Sequence, residues 1–188
     1  MRWFLLALLA AGVAGCGPDS DPTPPVTRPT GKFFPPPPPP VTVEEVRGDA
    51  LDAAIARHTD KVVVVDLWAT WCESCVKKFP HFVRMHQKYA DKGLVCISVS
   101  MDKLTPTTYK KAAVLEFLRQ KEAAFPNYVV LEPEADEKAL ARRLSDDYRL
   151  IPLMVIYDRA GRRIWTSGDG PPLTDEELDR KVEDLLAK

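Results

Sequence analysis

The chain has 188 residues with 26 Lys and Arg against 27 Asp and Glu, so its formal net charge is −1. This balance lacks the basic excess of proteins that bind nucleic acid electrostatically, and we expect no nucleic-acid partner. The 4 cysteines are too few for a disulfide-stabilised scaffold of this length. Eleven of the 18 prolines lie between Pro18 and Pro40, which leaves residues 41–188 for one folded domain and excludes a second large one.

Residues 1–15 have the layout of a secretory signal peptide, with Arg2 followed by the apolar run Trp3–Ala14. Twelve helical residues span about 18 Å, short of the roughly 30 Å hydrocarbon core, which disfavours a permanent membrane span. The run ends in Val-Ala-Gly-Cys and resembles a bacterial lipobox. That resemblance implies a lipoprotein whose mature N-terminus is a lipidated Cys16. An ordinary cleavable signal that contains a cysteine is the alternative.

The segment after Cys16 is mostly Pro, Thr, Asp and Gly, and it closes on six consecutive prolines. Such a run favours polyproline II, which rises about 3.1 Å per residue, so residues 17–40 extend up to roughly 74 Å. We interpret residues 16–40 as a stalk between the lipid and a domain over residues 41–188. A disordered tail without a role is the alternative.

The domain begins with a predicted helix and a predicted buried strand. Gly48–His58 has helical spacing, with Asp49 as a plausible N-cap and Leu51 and Ile55 on one face. The run Lys61–Trp68 is rich in valine and apolar on both faces, which predicts a central strand of a sheet.

A long helix and a second buried strand follow. The helix is expected from about Cys72 to Ala90, with a kink at Pro80 because proline removes a backbone hydrogen bond. Gly93 then introduces the apolar run Leu94–Ser100, which predicts another buried strand.

The second half of the domain continues the alternation of helices and strands. Tyr109–Ala124 has helical apolar spacing at Ala113, Phe117 and neighbouring residues. Tyr128–Leu131 is predicted as a strand, and Asp136–Leu144 as a short charged helix.

The C-terminal part predicts a hairpin and a final helix. Ile151–Tyr157 and Arg163–Thr166 flank a turn at 158–161 and are expected to pair as antiparallel strands. Thr174–Glu177 forms a capping box. The helix after it carries one apolar stripe, made of Leu178, Val182, Leu185 and Leu186. Together the elements predict an α/β fold with a central mixed sheet flanked by helices.

Cys72 and Cys75 stand at the predicted start of the long helix, directly after the first buried strand. Free N–H groups and the helix dipole at this position stabilise a thiolate and lower its pKa. Cys72 is therefore the predicted nucleophile. Cys75, one turn later, is the predicted resolving cysteine and is expected to be more buried.

Three other interpretations of the pair remain: an inert structural disulfide, half of a zinc site, or coincidence. Zinc requires four ligands, and the chain has no second C-x-x-C or H-x-x-x-H. His81 and His86 lie two or more helical turns from Cys72. We therefore expect no metal and no cofactor beyond a redox-active disulfide of Cys72 and Cys75.

The residues around the pair carry a family resemblance. Asp66–Cys75 reads Asp-Leu-Trp-Ala-Thr-Trp-Cys-Glu-Ser-Cys, and Tyr148–Arg162 contains Ile151-Pro152 before an apolar strand. Both segments resemble thioredoxin-fold proteins, and most of all the membrane-tethered TlpA/ResA-type thiol-disulfide oxidoreductases. The resemblance spans about Val43–Lys188. It implies a thioredoxin-like fold with a helical insertion over Thr105–Leu144, before the proline strand.

The resemblance also implies roles for single residues near the proline. Pro152 matches the family's cis-proline, which faces the active-site disulfide, and Ile151 beside it is expected to contact substrate. Leu153 stands where the family usually has threonine, and we expect it to make the substrate-facing surface more apolar. Trp71 is expected to shield the disulfide and to offer partners a flat apolar contact.

Glu73 and Ser74 separate the two cysteines and are expected to contact substrate. The charge of Glu73 opposes a thiolate on Cys72 and so raises the pKa of that thiol, which favours a reducing couple. A solvated glutamate in the first helical turn is the alternative. Cys96 lies in a predicted buried strand, and we assign it no role.

Asp66 matches the buried aspartate that handles the proton of the resolving thiol in thioredoxins. TlpA/ResA-type chains more often have asparagine there and a glutamate three residues after the second cysteine, where this chain has Lys78. We interpret Asp66 as the base for Cys75, with a pKa raised by burial. Thioredoxins place a lysine near that aspartate, at a position that is Ser98 here, so the pKa of Asp66 is expected to rise further. A strand-end carboxylate bonded to backbone or water is the alternative.

The function implied by the resemblance is an extracytoplasmic, periplasmic-side thiol-disulfide oxidoreductase. It would mainly reduce disulfides of exported proteins, such as apocytochrome c, with electrons from a membrane thiol donor. A thioredoxin-like copper chaperone is an alternative, although such relatives use C-x-x-x-C. A peroxiredoxin-like peroxidase is another, but its Pro-x-x-x-Thr-x-x-Cys pattern is absent. A redox-inactive binding module is the last, and intact Cys72, Cys75 and Pro152 count against it.

Overall fold

One six-stranded sheet organises the domain, and the computed structural model describes residues 39–105 and 107–188. The strands are β1 (Glu44–Val46), β2 (Val62–Trp68), β3 (Leu94–Ser100), β4 (Asn127–Val130), β5 (Leu153–Tyr157) and β6 (Arg163–Thr166). The helices of this part of the chain are α1 (Gly48–Ala56), α2 (Glu73–Tyr89), α3 (Lys111–Gln120), α4 (Glu137–Arg143) and α5 (Asp175–Leu186). The predicted signal peptide, Cys16 and the Pro-rich segment up to residue 38 lie outside the described residues.

The sheet has the strand order β1-β4-β3-β2-β5-β6, with β2 near its centre. Every residue of β2 is buried, because its valine run places apolar side chains on both faces. β2 pairs with β3 in parallel and with β5 in antiparallel orientation. The expected mixed sheet is therefore confirmed, as is the antiparallel β5–β6 hairpin.

Helices cover both faces of the sheet and create two apolar cores. On one face, side chains of α2, α3 and α5 pack with alternate residues of the strands, including Val64 and Trp68 of β2. On the other face, side chains of α1 and α4 pack with the intervening residues, including Val65 and Leu67. This three-layer arrangement confirms the predicted α/β fold.

The predicted N-cap of α1 is wrong. Arg47 occupies the cap position and its side chain makes no capping bond, while Asp49 accepts only from the N–H of Ala50. The N–H of Gly48 donates instead to Asp136 Oδ2 at 2.8 Å. A carboxylate from a distant segment therefore caps the helix, which no local pattern indicates.

The apolar side of α3 includes Phe117 and its neighbours, as predicted, but not Ala113. Val114 and Leu118 are buried, whereas Ala113 is exposed and Phe117 is half-buried. Phe117 lies at the edge of the core, with its ring 4.6 Å from that of Trp68. Tertiary packing, rather than the local sequence, sets the rotation of this helix.

Other boundaries agree with expectation to within about four residues, with one addition. α2 continues through Pro80 as one helix, and the capping box of Thr174 and Glu177 is confirmed at the start of α5. The predicted insertion over residues 105–144 contains α3 and α4, and β4 between them is a strand of the main sheet. The short strand β1 was not predicted. None of the helices within the described ranges is long and apolar enough to cross a membrane.

Candidate active site

The Cys-x-x-Cys pair lies at the start of α2, after the loop that follows β2. Cys72 is the N-cap of α2, Cys75 is in its first turn, and the two are joined by a disulfide. The N–H of Cys75 donates to Cys72 Sγ at 3.3 Å. Cys72 is 7% exposed and Cys75 1%, so the prediction that the second cysteine is more buried is confirmed.

A buried carboxylate that the sequence did not indicate holds the loop before the pair. Asp102 accepts from the backbone N–H of Thr70 at 3.1 and 3.2 Å and from the Thr70 hydroxyl. It also accepts from Ser100 Oγ at 2.7 Å. These bonds tie the segment between Trp68 and Cys72 to the end of β3. Cys72 thus follows a segment that is tied to the sheet by several hydrogen bonds rather than a free loop.

We expect Thr70→Val to destabilise the fold by about 2 kcal/mol, because it removes a hydroxyl donor from a buried, charged acceptor while keeping the side-chain shape. Denaturant unfolding of the variant measures the change. The control is Thr59→Val, since Thr59 lies in an exposed turn. Equal stability of the two variants would contradict the role of the Asp102 bonds.

Three predicted contact residues surround the disulfide on the solvent side. Trp71 is 49% exposed, and Ser74 is exposed with its hydroxyl 3.5 Å from Cys72 Sγ. Glu73 pairs with Lys77 at 2.7 Å, and both side chains are largely in solvent. The Lys77 ammonium therefore offsets part of the charge that Glu73 brings to Cys72.

The proline loop lies beside the same end of β2. The Ile151–Pro152 peptide bond is cis. Leu153 of β5 pairs with Leu67, near the C-terminal end of β2. The residues just before Leu153 therefore lie at that end of β2, and the chain continues from the same end to the disulfide. Half-buried Ile151 packs against the core cluster that contains Cys72 and Cys75.

The expectation that Leu153 makes the substrate-facing surface more apolar is wrong. Its side chain is 3% exposed and belongs to the core under α1 and α4, because alternation along β5 points it away from the active-site face. The exposed apolar side chain of this loop is Leu150, which is 68% exposed and which sequence reasoning missed.

Asp66 lies on the face of β2 that packs against α2 and α5, between Val64 and Trp68. It is 6% exposed, and burial raises the pKa of its carboxyl from 3.8 to about 7. The ammonium of Lys78 on α2 opposes that rise. The site therefore holds a carboxyl that changes charge near neutral pH.

As expected, the position where thioredoxins place a lysine near this aspartate carries no cation here, but a different residue supplies one. Ser98, the cross-strand neighbour of Asp66, carries no charge and donates to Asn127 Oδ1 at 2.7 Å. The cation comes instead from Lys78, on the helix that carries the cysteines. The packing of α2 against β2 brings this cation near Asp66, and the sequence of the strand alone does not reveal that contact.

Cys96 is a free, buried thiol on β3. Burial, together with the charge of Asp66, raises the pKa of this thiol well above its ordinary value. Its thiol is therefore poorly reactive. Within residues 39–105 and 107–188, no group of three or more His, Cys, Asp or Glu side chains is arranged to hold a metal ion.

This arrangement combines the parts that disulfide exchange requires. It has a sulfur at a helix N-terminus, a second sulfur one turn deeper, an exposed apolar side chain at Trp71, and the buried carboxyl of Asp66. Such a site can exchange its disulfide with another and can accept a proton internally.

Comparison with known proteins agrees with this geometry. The family profile described as "AhpC/TSA family" matches residues 39–148, which is more than half of the chain. A protein named thiol-disulfide oxidoreductase ResA from Bacillus thuringiensis subsp. konkukian is 27% identical over 130 residues. That match covers 68% of this chain and 63% of the Bacillus protein, so it spans less than two thirds of the relative's length.

Solved structures resemble the domain as a whole. A thiol:disulfide interchange protein of the thioredoxin family from Chlorobium tepidum superposes with a TM-score of 0.56 at 19% identity, covering 70% of this chain and 83% of its own. A secreted Mycobacterium tuberculosis disulfide oxidoreductase superposes with a TM-score of 0.51 at 19% identity, covering 69% and 86%. At these identities the two structures establish the thioredoxin-like fold.

Proposed function

The chain belongs to the AhpC/TSA family of thioredoxin-fold proteins, and from that membership we propose that it is a thiol-disulfide oxidoreductase. The observation that carries the proposal is the Cys72–Cys75 disulfide at the N-terminus of α2. Trp71, Glu73, Ser74, Ile151 and Pro152 are the proposed substrate-contacting residues around it.

The reaction begins with the reduced protein. The Cys72 thiolate attacks one sulfur of a target disulfide, whose S–S bond breaks as a mixed disulfide forms and the other target sulfur leaves as a thiolate. Free backbone N–H groups and the dipole of α2 favour the thiolate form of Cys72. Partial exposure of Cys72 makes it the sulfur that a protein substrate reaches first.

Resolution then uses the deeper cysteine. Asp66 takes the proton of the Cys75 thiol, and the Cys75 thiolate attacks Cys72 Sγ. The target's remaining sulfur leaves as a thiolate and the Cys72–Cys75 disulfide forms. The target gains two electrons and the protein loses two, so each turnover requires re-reduction by an external thiol donor.

The substrates that we infer are disulfides in exported proteins, apocytochrome c among them. The signal-like N-terminus and Cys16 support an extracytoplasmic protein tethered by lipid, within reach of a membrane thiol donor. Exposed Trp71, next to Cys72 in the chain, supports binding of an extended segment with apolar side chains.

The reduction potential of the Cys72–Cys75 couple tests the direction of electron flow. We expect a value nearer to about −270 mV, as in thioredoxin, than to about −120 mV, as in strong periplasmic oxidants. Equilibration with glutathione or dithiothreitol buffers measures it, and Cys96→Ser is the matched control that should leave it unchanged. A strongly oxidising potential would rule out the reductase role.

A further inference from the structure

A small cavity lies between Asp66 and the C-terminal part of the domain. Its volume is about 60 Å³, which accommodates a few waters at about 10–15 Å³ each but not bulk solvent. Asp66 adjoins it from β2 and His81 from α2. Much of the remaining lining belongs to residues 172–178, which we call the C-terminal wall. The wall contributes Pro172, Leu173, Asp175 and Leu178 to the cavity.

Exclusion of water by this packing controls the charge of Asp66. The carboxyl lies on the face of β2 that α5 covers, where Leu178 and Val182 pack in the core that contains Trp68. It is 6% exposed, and burial is the main cause of the rise of its pKa to about 7. A change that lets water past the C-terminal wall would therefore lower that pKa.

His81 joins α5, which begins within the C-terminal wall, to the helix that carries the cysteines. Its Nε2 is 3.0 Å from Asp179 Oδ1, and its Nδ1 is 3.5 Å from Asp175 Oδ1. Both ring nitrogens of this α2 residue therefore face carboxylates of α5. The side chain of His81 is 10% exposed, so water competes little for these contacts.

Two cations of α2 contact the same carboxylates from more exposed positions. Arg84 lies 3.9 Å from Asp175, and its side chain is 64% exposed. Lys88 lies 3.3 Å from Asp179, and its side chain is 52% exposed. Exposed ion pairs of this kind contribute little to stability. Of these three α2 residues, His81 is the buried one and the one that lines the cavity.

The titratable groups around Asp66 come from three elements. On α2 the Lys78 ammonium lowers the pKa of Asp66, and His81 adjoins the same cavity. On β3 the thiol of Cys96 is close enough for the charge of Asp66 to raise its pKa. On α5 the carboxylate of Asp175 also lines the cavity. The pKa of Asp66 is thus a balance between Lys78, which lowers it, and exclusion of water, which raises it.

We propose that His81 is a positioning residue whose contacts with Asp175 and Asp179 hold the C-terminal wall closed over Asp66. The closed wall then sets the pH at which Asp66 accepts a proton. The inference rests on the proposed function, in which that proton comes from Cys75 and returns to Cys75 when the disulfide is reduced again. Without these contacts α5 separates from α2, water reaches the carboxyl, and its charged form becomes stable at lower pH.

The test is a carbon NMR titration of the Asp66 carboxyl in the oxidised protein, in which Cys72 and Cys75 are joined and do not titrate. Asp66→Asn identifies the signal. We expect His81→Leu to lower the midpoint of the titration by about one pH unit. The direction is decisive, because leucine beside a wall that stayed closed would make the cavity more apolar and would raise the midpoint instead.

Two further variants leave the lining of the cavity unchanged. Asp179→Ala removes a partner of His81 that does not line the cavity. It should lower the midpoint by a smaller amount than His81→Leu, because Asp175 still faces the imidazole. Asp184→Ala is the matched control, since it makes the same change at an exposed position of the same helix. It should leave the midpoint unchanged.

The resolving step of the reduced protein, followed with a disulfide peptide, should accelerate at a pH that falls together with the midpoint. An unchanged or raised midpoint in His81→Leu would overturn the role of His81. An unchanged midpoint in Asp179→Ala would do the same, and this variant decides alone if His81→Leu does not fold. So would an equal shift in Asp184→Ala, or a resolving step that keeps the wild-type pH dependence. The titration needs no turnover, so a wild-type protein that reduces no disulfide would overturn the proposed function separately.

Discussion

Cys72→Ser should abolish disulfide reduction, whereas Cys75→Ser should keep the first attack and stop at the mixed disulfide. The reason is the different position of the two sulfurs: Cys72 is the more accessible sulfur at the N-cap of α2, and Cys75 is buried behind it. Without Cys75 no internal thiolate releases the target. Non-reducing electrophoresis and mass spectrometry measure the trapped species, and insulin reduction measures turnover.

Cys96→Ser is the control for both variants, because Cys96 is a buried thiol outside the disulfide. It should retain turnover and should trap nothing. The protein captured by Cys75→Ser identifies the substrate. Trapping by Cys72→Ser at the level of Cys75→Ser would reverse the assigned roles of nucleophile and resolving cysteine.

Asp66→Asn should stabilise the protein at alkaline pH and leave its stability almost unchanged at low pH. Burial raises the pKa of Asp66 from 3.8 to about 7, so the folded state holds its proton more tightly than the unfolded state does. This stabilisation is complete below pH 3.8 and is lost as the pH rises to about 7. Above that pH the charged, buried carboxylate costs about 4 kcal/mol, at about 1.4 kcal/mol per pKa unit.

Urea unfolding of the oxidised protein at pH 5 and pH 8 measures this difference. Asp146→Asn is the control, because Asp146 is exposed. A gain for Asp66→Asn that is the same at both pH values would contradict the assigned cause.

The same Asp66→Asn variant should reduce disulfides roughly 10²-fold more slowly at neutral pH, because it removes the internal base. The wild-type resolving step should accelerate as the pH rises through about 7, where Asp66 becomes able to accept a proton. The variant should lack this transition. A wild-type rate and pH profile in the variant would remove Asp66 from the mechanism.

Features that depend on neighbouring residues were predictable from the sequence. The valine run of β2, the Cys-x-x-Cys pair at a helix start and the capping box of Thr174 each involve residues a few positions apart. Such patterns act through local backbone geometry and side-chain alternation, and the structure contains all three. The resemblance around Asp66–Cys75 and Tyr148–Arg162 added the fold.

Features that depend on distant contacts were mispredicted or missed. Asp136 caps α1 from 88 residues away, and Asp102 holds Thr70 from 32 residues away. At the proline loop, exposure was expected at Leu153 and occurs at Leu150. In each case the decisive partner belongs to another element.

The sequence by itself therefore determined the placement of the cysteine pair on which the proposed redox chemistry depends, since two cysteines one helical turn apart directly after a buried strand are expected at a helix N-terminus. Only the tertiary structure decided the proton chemistry. The pKa of Asp66 depends on its burial between β2 and α2 and on the charge of Lys78. Burial and cavities arise from packing, because they depend on which distant segments meet.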